Sequence, residues 1–461
     1  MALKDILSNL PEVRPPVEKK LSFNVKLKWT LVVLVAFFVL ANIPLYGLAK
    51  NSLDRFQYLA VILGTDFGSI ISLGIGPIVM ASIILQLLAG SKIINIDTST
   101  PEGKKYFQGI QKLMVFFFII FEAAIYVMMR GLEAAPGYGG IMIFQLILGG
   151  LAIVFMDELV QKWGFGSGVS LFIVAGVGWR LFAGLFQFIG PQGGNCLADF
   201  ANIACGGKVL VLIQSIIQGA PTEALRAFAV IAATVIIFLM VVWAQSLKVK
   251  IPLVYDKLRG YGIEWPLSFF YANVLPVILV SALAANLQLF SGLLENWLGH
   301  PTFLGTFSQG VPVSGLSFWL SQVNILDLIV TGRLSWIYLL QAFTHLLYYV
   351  VFSAIFAMFW VRTSGMDAGS QARNILNSGL QVPGFRKDER VLESILKRYI
   401  GPLTIMGGAA VGFLAAIADS FGAITSGTGI LLAVMILYQF YQNIAQQHAV
   451  DMHPALKKMA A

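Results

Sequence analysis

The chain has 461 residues, of which 57% are hydrophobic and only 12% charged, with a formal net charge of +8 at neutral pH and a mean hydropathy of +0.80. Soluble domains hold apolar usage to about half and carry about a quarter charged residues. These values exclude a soluble globular protein and require a polytopic membrane protein.

The first charge-free run, Trp29 to Ala49, is about as long as a bilayer core is thick when coiled as a helix. Polar and charged residues precede it and no small-residue cleavage pattern is present, so it reads as a retained span and not a removed leader. Apolar windows bounded by Gly, Pro and charge predict ten helices, at about 29–48, 74–91, 112–130, 141–160, 168–189, 227–246, 265–290, 334–360, 399–418 and 428–447. With the N-terminus in the cytosol, alternation places 24 of the 31 lysines and arginines on the cytosolic side. That bias sets the orientation and puts both termini in the cytosol.

Five spans precede the long external loop 190–226 and five follow it, and an odd-numbered half enters the membrane in the opposite sense from its twin. The implied organisation is a cytosolic segment 1–28, a first half 29–189, the loop 190–226, a second half 227–447 with cytosolic loops 247–264 and 361–398, and a cytosolic tail 448–461. The inverted repeat rests on span count alone, because the halves do not match residue by residue. The chain's two cysteines, Cys196 and Cys205, fall together in the external loop. Their spacing allows a local disulfide or two separate thiols.

The stretch GTDFGSIISLGIGPIVMASIILQLLAG, residues 64–90, breaks the rule of an unbroken span. Phe56 to Leu73 is interrupted by Gly64, Asp66 and Gly68, and a separate span there would reverse the charge bias downstream. The helix left from Pro77 to Gly90 is about 21 Å long at 1.5 Å per residue, short of a ~30 Å core. Non-helical backbone at that depth survives only inside protein or beside a wet cavity, so the break predicts a pore or deep funnel. Glycine-rich starts recur at Gly164–Gly176 and Ser426–Val434.

Ionisable groups within spans are costly and few. Glu122 is expected as a buried acid hydrogen-bonded to a neighbouring helix, and His345 is a weaker case. Ser82, Gln86, Asn273, Asn286 and Gln288 suit a seam bonded across helices. No catalytic motif stands out: Gly164, Gly166 and Gly168 lack a dinucleotide-binding context, and His448 with His453 is a poor metal pair. The basic loops are the stronger signal, and PGFRKDERVLESILKRYI predicts a turn followed by a projecting helix. Such a hairpin suits a polyanion such as ribosomal RNA, with acidic membrane lipid as the competing partner.

NLPEVRPPV, KLKWT, LGIGPIVMASIILQLL, FQGIQKL, DELVQKWGFGSGVSLFI, FLMVVWAQ, VLPVILVSALAANLQ, GFRKDERVLE and KRYIGPLT together resemble the SecY family, the central subunit of the Sec protein translocation channel, in its archaeal-type branch. The resemblance implies an all-α membrane protein of ten transmembrane helices, in two inverted pseudo-symmetric halves around an hourglass pore with a short re-entrant plug helix. It implies a pore ring of Ile75, Val79, Val169, Ile173, Ile278 and Leu432, with Val79, Val169 and Leu432 departing from the usual isoleucine. It further implies a plug over about Phe56 to Phe67, including Gly64 and Asp66. The lateral gate would lie between spans two and three and spans seven and eight, with Ser82, Gln86 and Asn286 as polar members. Ribosome contacts would fall on Lys257, Arg259, Arg386 and Lys387.

The function so implied is a protein-conducting channel in the cell membrane, not an enzyme, without cofactor or metal. Its implied partners are a SecE-like gamma subunit, a SecG-like or beta subunit, the ribosome, signal sequences and nascent polypeptides, membrane lipids and, in other settings, a cytosolic motor ATPase. An inverted-repeat secondary transporter for a small solute is the alternative that the same span count allows.

Overall fold

Hydrocarbon offers no hydrogen-bond partners to a spanning backbone, so helices must satisfy their own amides and carbonyls, and helices dominate here. The computed structural model describes residues 10–17, 21–53, 57–60, 62–91, 93–94, 96, 100–190, 194–198, 200, 203–255, 262–308, 310–377, 380–381 and 388–452. The first part of the chain forms α1 (Phe23–Ala41), β1 (Leu48–Asn51), α2 (Gln57–Ala60), α3 (Gly76–Gly90), α4 (Pro101–Met128), β2 (Leu132–Ala134), α5 (Gly139–Trp163) and α6 (Gly168–Phe186). Then come α7 (Lys208–Ile217), α8 (Pro221–Gln245), β3 (Lys248–Tyr255), β4 (Gly262–Ser268) and α9 (Leu275–Leu298). The last part holds β5 (Thr306–Ser308), β6 (Val311–Ser314), α10 (Gly315–Leu320), α11 (Ile325–Val330), α12 (Trp336–Thr363), α13 (Ala368–Asn377), β7 (Leu380–Gln381), α14 (Glu389–Ser420) and α15 (Gly427–Met452).

Among the described residues nine helices are long and apolar enough to cross a membrane, and α3 is a tenth, shorter one. Each lies within or overlaps one predicted span. The boundaries move where local chemistry outweighs hydropathy. Span one ends at Ala41, because Leu48–Asn51 is drawn out of helix into an antiparallel pair with β2. Span seven begins at Leu275 and not 265, because residues through Ser268 pair with β3. Asn273, expected on that helix, instead turns the chain into it in a left-handed conformation (φ 57°). The loop 190–226 holds α7, and α8 starts at Pro221, where a missing amide costs a helix nothing.

Cys196 and Cys205 are joined by a disulfide. The buried Gln214 of α7 seats that loop: its side-chain oxygen accepts from the Cys205 amide (3.1 Å), and its nitrogen donates to the carbonyls of Phe200 and Ile203 (2.8 Å each).

The projecting helix foreseen after residue 384 is not separate from span nine. It is the first part of α14, whose 32 residues extend about 48 Å at 1.5 Å per residue, more than a ~30 Å core needs. Its projecting turns bury Leu392, Leu396 and Ile400 against Ile251 and Leu267 of the β4-β3-β7 sheet and Ala372 and Ile375 of α13. The end of the bundle that carries these basic elements therefore has an apolar core of its own. At the same end the irregular N-terminal segment is strapped across α5. The Val13 amide donates to Glu158 (3.0 Å), Lys162 donates to the Val13 carbonyl (2.6 Å) and pairs with Glu12, and Trp163 donates to the Arg14 carbonyl (2.9 Å). The Lys162 ammonium holds the Glu12 carboxyl below its usual range.

Two further apolar clusters fill the bundle. One runs through α3, α6, α9, α12, α14 and α15, and the other joins α4 and α5 to the non-helical stretch before α3. The second depends on a close approach at Gly149 of α5, where an added Cβ would stand 1.9 Å from the Ile70 carbonyl oxygen. Gly149→Ala is expected to lower the thermal stability of the purified protein by about 1–3 kcal/mol through overpacking, read as a lower melting temperature in one detergent.

Candidate functional site

The site grows out of the broken backbone between α2 and α3. Gly74 is in the left-handed region (φ +55°), and a Cβ there would lie 2.3 Å from the Leu63 carbonyl oxygen. Only glycine suits that position. The turn it makes brings the Ile75 amide onto the Leu63 carbonyl at 2.8 Å, and Pro77 then opens α3 without losing a bond. The rest of the stretch is bonded inside the protein. Thr65 Oγ1 donates to the Ile71 carbonyl (2.7 Å), Asn51 Nδ2 to the Phe67 carbonyl (2.8 Å), and the Gly68 amide to Ser72 Oγ (2.9 Å). The Leu45 and Ile70 amides pair with Gly68 and Ile43 carbonyls. This is the internal satisfaction that re-entrant backbone at membrane depth requires.

The stretch delivers Ile75 and Val79 into one apolar cluster with Ile173 of α6, Ile278 of α9 and Leu432 of α15, each at most 3% exposed. Val169, at the start of α6, is partly exposed and packs on the same cluster. Six aliphatic side chains from four separate helical segments thus belong to one apolar cluster. On one side of them an open cavity of about 410 Å³ is lined by Val79, Val169 and Ile278 together with Ser82 and Gln86. On the other side the re-entrant stretch presses in: a Cβ at Gly64 would touch Phe172 Cβ at 3.5 Å and Ile75 Cγ2 at 3.6 Å. Leu59 and Ile62 face a pocket of only about 20 Å³ shared with Ser281, Gln288 and His345. The cluster thus borders an open cavity and the packed re-entrant stretch.

Of the polar groups expected at the seam, Ser82 and Gln86 lie on α3 and Asn286 and Gln288 on α9. Ser82 accepts from Gln111 Nε2 of α4 at 2.7 Å, a bond that sequence reasoning missed because Gln111 lies in a polar run at the mouth of its span. Asn286 is buried, but its Nδ2 donates to the Ala282 carbonyl of its own helix at 2.9 Å. Gln86 is buried with Oε1 unpartnered. The hydrogen bond expected of Glu122 is absent among the described residues, where both its oxygens are buried without a partner. It lies instead against the α3 start, since a Cβ at Gly76 would be 3.1 Å from Glu122 Oε2 and 4.0 Å from Asn286 Oδ1. Three elements meet there through an acid held by none of them.

Of the plug residues, Gly64 turns the chain (φ +54°), Phe67 is buried, and Asp66 is exposed within electrostatic reach of Arg180 on α6. Only α2, four residues long, is helical in the described part of that segment. Phe56, Lys257, Arg259, Arg386, Lys387 and His453 lie outside the described residues. Among the described residues no cluster could hold a metal ion. Two buried acids escaped notice, Asp157 and Asp419; each precedes a Gly-Ser or Ser-Gly helix start, which is the signal that marks them.

A family model described as SecY matches residues 69–441, and one described as the plug domain of Sec61p matches residues 35–68. The chain belongs to the SecY family. A relative named protein translocase subunit SecY, from Methanothermobacter thermautotrophicus, is 42% identical over 460 residues, covering 98% of this chain and 97% of its own. A solved protein-conducting channel superposes with a TM-score of 0.82 at 36% identity, covering 98% of this chain and 99% of its own. Sec61 from a canine ribosome-channel complex of the endoplasmic reticulum gives 0.78 at 36% identity with the same coverage. The SecY fold therefore accounts for the ten helices, and the plug-domain match covers the stretch that ends beside the aliphatic cluster.

In SecY terms the Ser82–Gln111 bond ties two helices on one side of the seam. A double-mutant cycle of Ser82→Ala and Gln111→Ala is expected to show a coupling of about 1 kcal/mol in thermal unfolding, and a coupling of zero would remove the bond from the account.

Proposed function

We propose that this SecY-family chain is the membrane subunit of a protein-conducting channel, one that passes unfolded secretory polypeptides across the cell membrane and releases apolar segments sideways into lipid. The observation that supports the reading is that Ile75, Val79, Val169, Ile173, Ile278 and Leu432 belong to one apolar cluster beside an open cavity and a re-entrant segment. Aliphatic groups offer water and ions no hydrogen bonds, so a narrow ring of them gates by dewetting. Its contacts are non-directional, so it closes equally well around any unfolded chain. No substrate-reading constellation is needed, and as in the rest of this channel family the work is not enzymatic; the driving energy comes from a partner.

The plug is the segment around Phe56 to Phe67, held on the side of the ring away from the open cavity. The lateral gate runs between α3 and α4 on one side and α9 and α12 on the other, with Ser82, Gln86 and Asn286 at its seam. Polar groups of this kind hold a closed state by modest energies, which an apolar signal helix offsets by reaching lipid. The charge bias places the basic end in the cytosol with both termini. There the β4-β3-β7 sheet and the projecting turns of α14 share an apolar core, and the basic loops that the sequence places next to them, with Lys257, Arg259, Arg386 and Lys387, meet a ribosome, in keeping with the likeness to Sec61 of a ribosome-channel complex. SecE-like gamma and SecG-like or beta subunits complete the channel by covering part of the exposed apolar belt, and lipid covers the rest. The family replaces the solute transporter as the account of two five-span halves.

Photocrosslinkers at positions 75, 173 and 278 are expected to label one stalled nascent chain, while position 35, 62% exposed on α1, labels lipid. Labelling from position 35 alone would overturn the pore. Arg386→Glu is expected to weaken ribosome binding about tenfold at low salt and far less at high salt, because the contact is electrostatic; binding measured across a salt series checks it.

A further inference from the structure

Two helix starts at the ring share a chemistry that no alignment of the halves reveals. At the start of α6 the Val169 amide donates to Asp157 Oδ1 of α5 at 3.0 Å, and Gln161 Nε2 donates to Asp157 Oδ2 at 2.7 Å. At the start of α15 the Thr428 amide donates to Asp419 Oδ1 of α14 at 2.7 Å. The second oxygen of Asp419 takes the Thr428 hydroxyl and faces His345 Nε2 of α12 at 3.3 Å. His345 Nδ1 in turn lies 2.8 Å from the Leu320 carbonyl oxygen. Both acids are buried, 7% and 5% exposed.

A glycine precedes each capped residue and permits the contact. A Cβ at Gly168 would stand 2.5 Å from Asp157 Cα, and one at Gly427 would stand 2.0 Å from the Ala418 carbonyl. Four residues beyond the two capped amides, one turn further on the same helix face, come Ile173 and Leu432, both fully buried in the ring cluster. The pairs α5–α6 and α14–α15 are the fourth and fifth spans of their halves. The same device therefore occurs at the same place in each half.

We infer that Asp157 and Asp419 are paired positioning residues that set the axial register of α6 and α15 and so bring Ile173 and Leu432 to the constriction. Helix-start amides lack partners within their own helix. A carboxylate meets them with a charge-assisted bond and a favourable dipole. Away from water, a helix that slid by one residue, about 1.5 Å, would strand both amide and acid. Through His345 the second cap also reaches α12, a gate helix, so gate movement and ring register in that half share one anchor. The inference rests on reading the aliphatic cluster as the channel's seal.

The test measures resting ion conductance of the assembled channel in planar bilayers, without a translocating chain. Asp157→Ala and Asp419→Ala are expected to raise it about tenfold, the population shift that loss of one charge-assisted bond permits. Asp157→Asn and Asp419→Asn keep an acceptor for the capped amide and are expected to stay near the parent value. Gly427→Ala, with the acid intact but the contact forced apart, is expected to leak as Asp419→Ala does, and it decides the question should the alanine variants not assemble. Ile173→Gly and Leu432→Gly are the controls for the seal itself. If these leak while the Asp→Ala or Gly427→Ala channels stay closed, the positioning role is overturned and the seal stands. Equal leakage from Asn and Ala variants also overturns it. Controls that do not leak bring down the seal reading instead.

Discussion

Backbone that is not helical cannot face lipid, and the rest of this structure answers to that constraint. The chain leaves helix between Ala60 and Gly76 and recovers its hydrogen bonds from within: Ile75 on Leu63, Gly68 on Ser72, Phe67 on Asn51, Ile70 on Ile43. The hydrogen bonds named for this segment run within it and to the loop just before it, so its separation from the bundle would strip no spanning helix of its own ladder. That is the physical condition for a plug. Its inner end is tied to Ile75, so the proposed plug is continuous with the first residue of the proposed ring.

The ring and the seam use opposite economies. At the proposed ring, aliphatic side chains from four segments share one apolar cluster, and such non-directional packing suits a seal indifferent to the sequence passing through it. At the seam, polar atoms are buried and incompletely bonded: Gln86 and Glu122 keep unpartnered oxygens. An unsatisfied buried polar group costs about 1–3 kcal/mol, which suits a proposed gate seam that opens. The acid caps on α6 and α15 add a third element, a directional bond placed one turn away from each contact that must remain non-directional.

Hydropathy made the spans legible, because a run of apolar residues of bilayer length has few alternatives to a helix across lipid. The short α3 was legible too, since its Gly-Ile-Gly-Pro start is incompatible with continuous helix. The span edges were not. Residues 265–268 are apolar enough for a span, yet the open backbone edge of β3 captured them, and the strand-forming residues after α1 met β2 across a gap of some eighty positions. The relation between the halves stayed hidden for a similar reason: Val169 sits twelve residues after Asp157 and Thr428 nine after Asp419, so the equivalence lies in geometry and not in spacing.

Residue by residue, the chain alone determined its membrane nature, its number of crossings, the charge asymmetry between faces, the place where a span must break, and, through the resemblance, which aliphatic residues to watch. These follow from one-dimensional quantities: hydropathy over a window, the count of charges, the presence of glycine and proline. Tertiary structure alone decided that Ile75, Val79, Ile173, Ile278 and Leu432 share one buried cluster, that Glu122 finds no hydrogen-bond partner among the described residues, that Cys196 reaches Cys205, and that Asp157 and Asp419 accept from the helix-start amides of Val169 and Thr428. Contact between distant segments depends on how packed helices turn their faces, and packing is a property of all the neighbours at once.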